Sequence, residues 1–153
     1  MNIGVVVYSF SGHALSVAQR LREKLAKAGH QVGLEQLETV APLRRGDTTA
    51  ELKARPATDG YDALVFACPV RGGLPAPPMR VYLEGIASLE DKHVAILVTG
   101  AMPFAWGRKQ TLAQMKEMCE SRGATVCGLG SVWVGPGRDR RADEVTDRLS
   151  RLF

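Results

Sequence analysis

Two serines, a glycine and a histidine directly follow the first apolar run of the chain. Ile3 to Tyr8 is rich in β-branched residues, as expected of a buried parallel strand, and Ser9-Phe10-Ser11-Gly12-His13 comes next. A helical pattern begins near Gly12. Free backbone N–H groups at a helix start, hydroxyl donors and a glycine that permits close approach together favour an anion such as a phosphate. An ordinary serine cap of the helix is the alternative interpretation.

Two more loops follow strand patterns. The run Ala63 to Ala67 ends at Cys68-Pro69 and leads into the sequence PVRGGLPAPP, which we expect to form a proline-stiffened loop. The run Val94 to Val98 stops at Thr99-Gly100 and leads into AMPFAWG. In an open parallel sheet, ligands bind beyond the carboxyl ends of the strands, where the strand order reverses. The three loops are therefore expected to gather at one end of the sheet.

Strand and helix patterns alternate along the whole chain. The polar segment from 41 to 60 is predicted to hold one short helix around Thr49 to Ala54, and Pro77-Pro78 suits the first turn of a longer one. The remaining strand patterns are Val32 to Leu37 and Thr125 to Val134. Five strands that alternate with helices predict an α/β fold, with a parallel sheet covered on both faces, in a single domain spanning residues 1–153.

Composition and charge argue against several classes of protein. The chain has 153 residues and a net charge of +4, but acidic residues lie close to most basic ones and no basic tract contains interleaved aromatics. Nucleic-acid binding is therefore not expected. No apolar stretch is long enough to span a membrane and no basic leader precedes the first strand, so we expect a cytoplasmic protein. Three cysteines without C-x-x-C spacing and three scattered histidines give no metal-site pattern.

Other phosphate-binding and nucleophile motifs do not fit the first turn. A dinucleotide-binding turn requires G-x-G-x-x-G, and only Gly12 is present; the other Gly-x-Gly, at 128–130, lies within a strand pattern. A nucleoside-triphosphate loop requires Gly-Lys-Ser/Thr, which is absent. A nucleophile elbow requires glycines two positions on either side of the serine, but Ser11 has Ser9 and His13 there. We therefore identify no catalytic residue from the sequence.

Taken together, the three loops resemble the flavodoxin-like family. Ser9-Phe10-Ser11-Gly12-His13-Ala14 matches its phosphate loop, Ser/Thr-x-Thr/Ser-Gly-x-Thr, except at Ala14. The stretch FACPVRGGLPAPPMRVYL is similar to the second signature of the family, in which a strand ending in small-Pro precedes aromatic-x-Gly, prolines and a helix. The stretch AILVTGAMPFAWG is similar to the third, a strand ending in Thr before a glycine and aromatic loop. The resemblance implies a three-layer flavodoxin-like fold, with five parallel strands in the order 2-1-3-4-5.

Members of this family bind FMN non-covalently, so the resemblance implies an FMN site in the three loops. The phosphate would lie on the first loop, and the second and third loops would flank the isoalloxazine ring. Phe104 and Trp106 are the aromatic residues of those two loops, and packing within the loop is their alternative role. The implied cofactor-binding residues are Ser9, Phe10, Ser11, Gly12, His13, Ala14, Pro69, Val70, Arg71, Gly72, Gly73, Thr99, Gly100, Ala101, Phe104 and Trp106.

Two departures from the electron-carrier flavodoxins favour an enzyme. The second loop reads Val70-Arg71-Gly72-Gly73 where those carriers usually have an aromatic residue, and the chain is basic rather than strongly acidic. Basic surroundings should raise the potential of a flavin. The chain is in these respects more similar to flavodoxin-fold NAD(P)H:quinone reductases. That resemblance implies NAD(P)H and a small-molecule or protein electron acceptor as partners.

Three hypotheses stay open at this point. The first is an FMN-dependent oxidoreductase, the second a flavodoxin-type electron carrier with no substrate of its own, and the third a flavodoxin-fold binding module that has lost FMN. Ala14 and the missing aromatic residue favour the third. The oligomeric state is also open, and a homodimer is one alternative because quinone reductases of this fold often complete their sites across subunits.

Overall fold

Five parallel strands form the central sheet, and a sixth, short strand adds a hairpin to the middle one. The computed structural model describes residues 1–153. Its strands are β1 (Asn2–Val7), β2 (Gln31–Gln36), β3 (Ala63–Arg71), β4 (Leu74–Pro75), β5 (His93–Gly100) and β6 (Thr125–Trp133). The sheet order is β2-β1-β3-β5-β6, with β4 paired to β3. The predicted order 2-1-3-4-5 is therefore confirmed when the hairpin strand is set aside.

Four helices cover the two faces of the sheet. They are α1 (His13–Lys27), α2 (Pro77–Glu84), α3 (Trp106–Glu120) and α4 (Arg138–Ser150). None of them combines the length and the apolar character that a membrane crossing would require. Pro77 and Pro78 occupy the first turn of α2, as the sequence predicts. The three layers follow from this arrangement, with α1 and α4 on one face and α2 and α3 on the other.

The buried middle parts of the central strands are apolar because each strand supplies side chains to two cores. Successive side chains of a strand point to opposite faces of the sheet. In β3, Val65 and Ala67 belong to the core under α1 and α4, whereas Leu64 and Phe66 belong to the core under α2 and α3. All four are buried. A strand buried on both faces gives the continuous apolar run seen in the sequence.

Ion pairs hold α1 and α4 side by side with their N-termini at the same end. Arg20 lies 3.5 Å from Asp139, and Lys24 lies 2.7 Å from Asp143 and 2.8 Å from Asp147. The partners on each helix are four residues apart, so the two helices run parallel in one register. Such partly exposed pairs each contribute at most about 1 kcal/mol. Their main consequence is geometric, because they place the first turn of α4 beside Arg20, seven residues after the start of α1.

The segment between β2 and β3 contains no helix. The Val40 N–H donates to the Glu51 carbonyl, and the Lys53 N–H donates to the Glu38 carbonyl, both at 2.9 Å. These bonds pair the two ends of the segment in antiparallel fashion. The predicted helix around Thr49 to Ala54 is therefore wrong, because its backbone groups bond to the chain after β2 rather than to each other.

A tyrosine ring lies across two glycines on one face of the sheet. Gly4 of β1 and Gly33 of β2 are register partners. A Cβ atom built on Gly4 would lie 2.6 Å from a ring carbon of Tyr61, and one on Gly33 would lie 2.5 Å from the Tyr61 hydroxyl oxygen. The Tyr61 hydroxyl is 3.4 Å from the Glu35 carboxylate. The two glycines therefore make room for the ring, which seats the chain immediately before β3.

We expect Gly4→Ala to lower the free energy of unfolding by about 1–3 kcal/mol, because the new methyl group would displace the Tyr61 ring. Urea unfolding of the single variants and of Gly4→Ala/Tyr61→Ala measures the coupling between the two sites. In the Tyr61→Ala background, Gly4→Ala should lower the free energy of unfolding only slightly. An equal cost with and without Tyr61 would contradict this account of the glycine pair.

Candidate functional site

A cleft of about 360 Å³ opens beyond the carboxyl ends of β1, β3 and β5. It lies where the strand order reverses, since β1 pairs with β2 on one side and with β3 on the other. This is the position where open α/β sheets bind ligands, and the volume suits a small molecule. The cleft is lined by Tyr8, Phe10, Ser11, His13, Leu43, Pro69, Val70, Arg71, Ala76, Thr99, Gly100, Ala101 and Val134.

The turn between β1 and α1 forms one end of the cleft and presents free backbone donors. Gly12 has a φ of 91°, a left-handed conformation that glycine adopts without strain, and its N–H donates to Ser9 Oγ at 3.1 Å. The first turn of α1 has neither a side-chain cap nor an acidic residue. The backbone N–H groups that have no protein acceptor here include those of Phe10, Ser11, His13 and Ala14. These groups and the positive end of the helix favour an anion.

The second loop, which the sequence predicts to be stiffened by proline and loosened by glycine, begins as a tight hairpin. β3 continues as far as Arg71, and β4 folds back to pair with its end. Gly72 and Gly73 join the strands with φ values of 60° and 77°. A two-residue hairpin turn requires such positive φ values, which glycine readily supplies. The hairpin fixes the backbone of Arg71 against the rim of the cleft.

The Arg71 side chain connects three segments around the cleft. Its Nη2 donates to the Arg44 carbonyl at 3.0 Å, and its guanidinium carbon lies 5.9 Å from the centre of the Phe10 ring. The second contact has the geometry of a cation–π interaction. Burial raises the pKa of the neighbouring Tyr8, and the positive charge of Arg71 partly opposes that rise. Tyr8 is therefore a neutral hydroxyl and Arg71 supplies the positive charge on this side.

An adjoining hollow of about 330 Å³ lies between the hairpin and the third loop. It shares Val70, Gly100 and Ala101 with the main cleft. Phe104 and Trp106 line it, and they are 59% and 68% exposed. Exposed aromatic side chains beside a cleft provide flat apolar surface for a ligand. The hollow therefore extends the cleft towards a second, apolar binding surface.

A tryptophan and two arginines hold the third loop and the loop after β6. Trp133 Nε1 donates to the Ala101 carbonyl at 3.1 Å, Arg108 Nη1 to the Met102 carbonyl at 2.9 Å, and Arg141 Nη2 to the Trp133 carbonyl at 2.8 Å. Burial, together with the positive charge of Arg141, lowers the pKa of Arg108. No carboxylate forms an ion pair with either arginine. Their charges therefore add to the attraction of this edge for anions.

Most residues predicted from the sequence lie in these two spaces. Ser9 and Gly12 line neither space and instead shape the first turn, while the Ala14 side chain is buried in the core. The predicted residues in the main cleft are Phe10, Ser11, His13, Pro69, Val70, Arg71, Thr99, Gly100 and Ala101. Those in the adjoining hollow are Val70, Gly72, Gly73, Gly100, Ala101, Phe104 and Trp106.

Several residues of the site were not anticipated. Tyr8 and Val134 end strand patterns, so the rule that sites lie beyond the carboxyl ends of strands could have identified them. Leu43 lies in the polar segment before β3 and reaches the cleft only through the long-range path of that segment. Arg138 lines neither space but contacts a residue that does, with its Nη1 at 2.8 Å from His13 Nδ1. No local pattern joins two residues so far apart in the chain.

Comparisons with known proteins agree on the fold. No family model and no curated protein matches the chain. Among solved structures, the flavodoxin of Streptococcus pneumoniae TIGR4 is 16% identical, with a TM-score of 0.71 and full coverage of both chains. A Lactobacillus acidophilus flavoprotein in complex with FMN is 17% identical, covering 95% of this chain and 98% of that one, with a TM-score of 0.70. A flavodoxin, WrbA-like protein of Agrobacterium tumefaciens is 16% identical, covering 98% and 97%, with a TM-score of 0.64.

These similarities extend over nearly the whole chain and include the order of the strands. Identities of 16% and 17% are too low to transfer an activity or a set of site residues. The sheet order, the helices on both faces and the cleft at the strand reversal nevertheless agree with one another. The chain therefore has the flavodoxin-like fold.

Proposed function

We propose that this protein is an FMN-binding oxidoreductase that passes electrons from NAD(P)H to a quinone or a similar acceptor. One observation carries the proposal: a single cleft joins a turn of free backbone N–H groups to largely apolar walls. A ligand with a phosphate at one end and a flat ring at the other matches that combination. The FMN in the L. acidophilus structure supports the choice of cofactor.

The groups of the cleft fit the two ends of FMN. The free N–H groups of the first turn and the exposed Ser11 hydroxyl would hold the phosphate. Val70 and Arg71 on one side and Thr99 to Ala101 on the other would flank the ring. Ala14 lacks the hydroxyl of the family motif, but its side chain is buried and its free N–H is available.

In this arrangement, FMN and the protein would contribute different parts of the chemistry. FMN, when bound, supplies the exchange of hydride and electrons. The protein positions the ring, excludes water from its apolar face and places positive charge near it through Arg71. The adjoining hollow with Phe104 and Trp106 offers a surface where a planar acceptor or a nicotinamide would lie beside the cleft.

The visible spectrum of the purified protein, before and after addition of FMN, tests the cofactor. Rapid steady-state oxidation of NAD(P)H in the presence of a quinone then supports the reductase. Binding of FMN without such turnover would favour an electron carrier, for which the exposed apolar rim at Phe10, Met102 and Phe104 would suit contact with a partner protein. A colourless protein that takes up no FMN would leave only a binding module.

Ser11→Asp should weaken FMN binding at least about a hundredfold, because a carboxylate at the first turn would repel the phosphate. Fluorescence quenching of FMN measures the dissociation constant. Ser88→Asp is the matched control, since Ser88 is exposed and precedes β5 at the opposite edge of the sheet. Unchanged affinity in Ser11→Asp would place the phosphate elsewhere.

Phe104→Ala and Trp106→Ala should raise the KM for a quinone acceptor about fivefold while changing the FMN dissociation constant less. Both side chains line the adjoining hollow rather than the main cleft, and stacking contributes about 1 kcal/mol beyond burial of area. Steady-state kinetics and FMN titrations of the same preparations separate the two effects. If neither quantity moves in either variant, the third loop only packs against the hairpin.

Arg71→Ala should lower the midpoint potential of the bound flavin by up to a few tens of millivolts, or raise the KM for the nicotinamide donor. The positively charged guanidinium stabilises negative charge in the cleft, and about 1.4 kcal/mol corresponds to about 30 mV for two electrons. A redox titration and steady-state kinetics provide the measurements. Arg71→Lys, which keeps the charge, should retain most of the potential. If Arg71→Ala leaves both the midpoint potential and the KM for the nicotinamide donor at their wild-type values, Arg71 has no role in either.

A further inference from the structure

We propose that Arg138, at the start of the last helix, is an additional ligand of the flavin 5′-phosphate. It would bind the phosphate at the end of the cleft that His13 lines. This inference rests on the proposed function and adds a residue from outside the three loops. It starts from one contact: Arg138 Nη1 lies 2.8 Å from His13 Nδ1, across 125 positions of sequence. His13 itself lines the cleft.

The direction of the hydrogen bond in this contact is set by the arginine. A guanidinium is always charged and can only donate, so His13 Nδ1 must be the acceptor. The ring proton of neutral His13 then resides on Nε2, which donates to no protein atom. Arg138 thereby holds His13 in the tautomer that offers one N–H to a ligand. An anion at the first turn of α1 would accept from that N–H as well as from the free backbone donors.

Arg138 retains donors of its own for the same anion. Its Nε and Nη2 bond to Asp139 Oδ1 at 3.2 and 2.8 Å, and its Nη1 bonds to His13. Of the five guanidinium N–H groups, two therefore have no partner. The side chain is 29% exposed and contacts His13, which lines the cleft, so its two free donors lie close to that end of the cleft and are not fully buried.

The nearest carboxylate does not cancel this charge. Asp139 is 72% exposed and is shared with Arg20, which donates to its carbonyl at 2.8 Å and lies 3.5 Å from its Oδ1. Two guanidinium groups therefore face one solvated carboxylate. Together with Arg71, which lines the cleft, the two guanidinium groups carry more positive charge than Asp139 offsets, and this excess favours a dianionic phosphate.

The register of two helices brings Arg138 to this place. The pairs from Arg20 and Lys24 to α4 keep α1 and α4 parallel and place the first turn of α4 beside Arg20, from where the Arg138 side chain reaches His13. Arg138 is the first residue of α4 and His13 is the first residue of α1. Two helix N-termini then point their positive ends to the same edge of the sheet.

The decisive experiment compares two flavins that differ only in the phosphate. Dissociation constants of FMN and riboflavin are measured by fluorescence quenching for wild type, Arg138→Met, Arg138→Lys and Arg140→Met. Arg140 is the matched control, because it lies in the same turn, is 87% exposed and pairs with Glu144. Arg138→Met should weaken FMN binding about tenfold or more and leave riboflavin binding unchanged. Arg138→Lys should recover part of the loss, and Arg140→Met should change neither constant.

Each other outcome has a definite meaning. Equal FMN affinity in wild type and Arg138→Met would overturn the inference and leave the proposed function intact. Parallel weakening of FMN and riboflavin would also overturn it, because the arginine would then act on the fold rather than on the phosphate. If wild type binds neither flavin, the proposed function fails, and thermal unfolding with inorganic phosphate decides the anion ligand. A phosphate-induced rise in Tm that is lost in Arg138→Met supports Arg138 in that role, and equal rises exclude it.

Discussion

The parallel pairing of β1 with both β2 and β3 is the constraint on which the rest of this structure depends. The connection after β1 runs through α1 over one face of the sheet, whereas the connection after β3 runs through α2 over the other face. The loops after β1 and β3 then diverge, and a crevice opens between them at the carboxyl edge. The cleft, the free N–H groups of α1 and the adjoining hollow all occupy that edge.

The three loops around the crevice all follow strands, but a different interaction fixes each of them. The first turn is closed by a Ser9 hydroxyl, the second loop by a two-glycine hairpin, and the third loop by Trp133 and Arg108. Arg71, Arg108 and Arg141 each donate to a backbone carbonyl around the site, because a guanidinium can satisfy several acceptors at once. A side effect of this use of arginine is that the loops of the site are positively charged.

That charge distribution distinguishes the site from a surface that is merely basic. The net charge of the chain is only +4, and many basic residues outside the cleft pair with carboxylates on the same or a neighbouring helix. Arg71, Arg108 and Arg141 form no such pairs and lie around the carboxyl edge of the sheet. The asymmetry favours anionic ligands at the cleft, which is consistent with a phosphate-bearing cofactor and with an anionic electron donor.

The sequence by itself determined the class of fold and the general location of the site. Continuous apolar runs at β1, β3 and β5 could only be strands buried on both faces, and the turn at Ser9 to His13 could be read locally because its donors come from adjacent residues. Only the tertiary structure decided the path of the segment from 41 to 60, the hairpin at Gly72-Gly73 and the meeting of Arg138 with His13. Each of these depends on pairing between distant residues, and periodicity along the chain carries no information about which distant partners will meet.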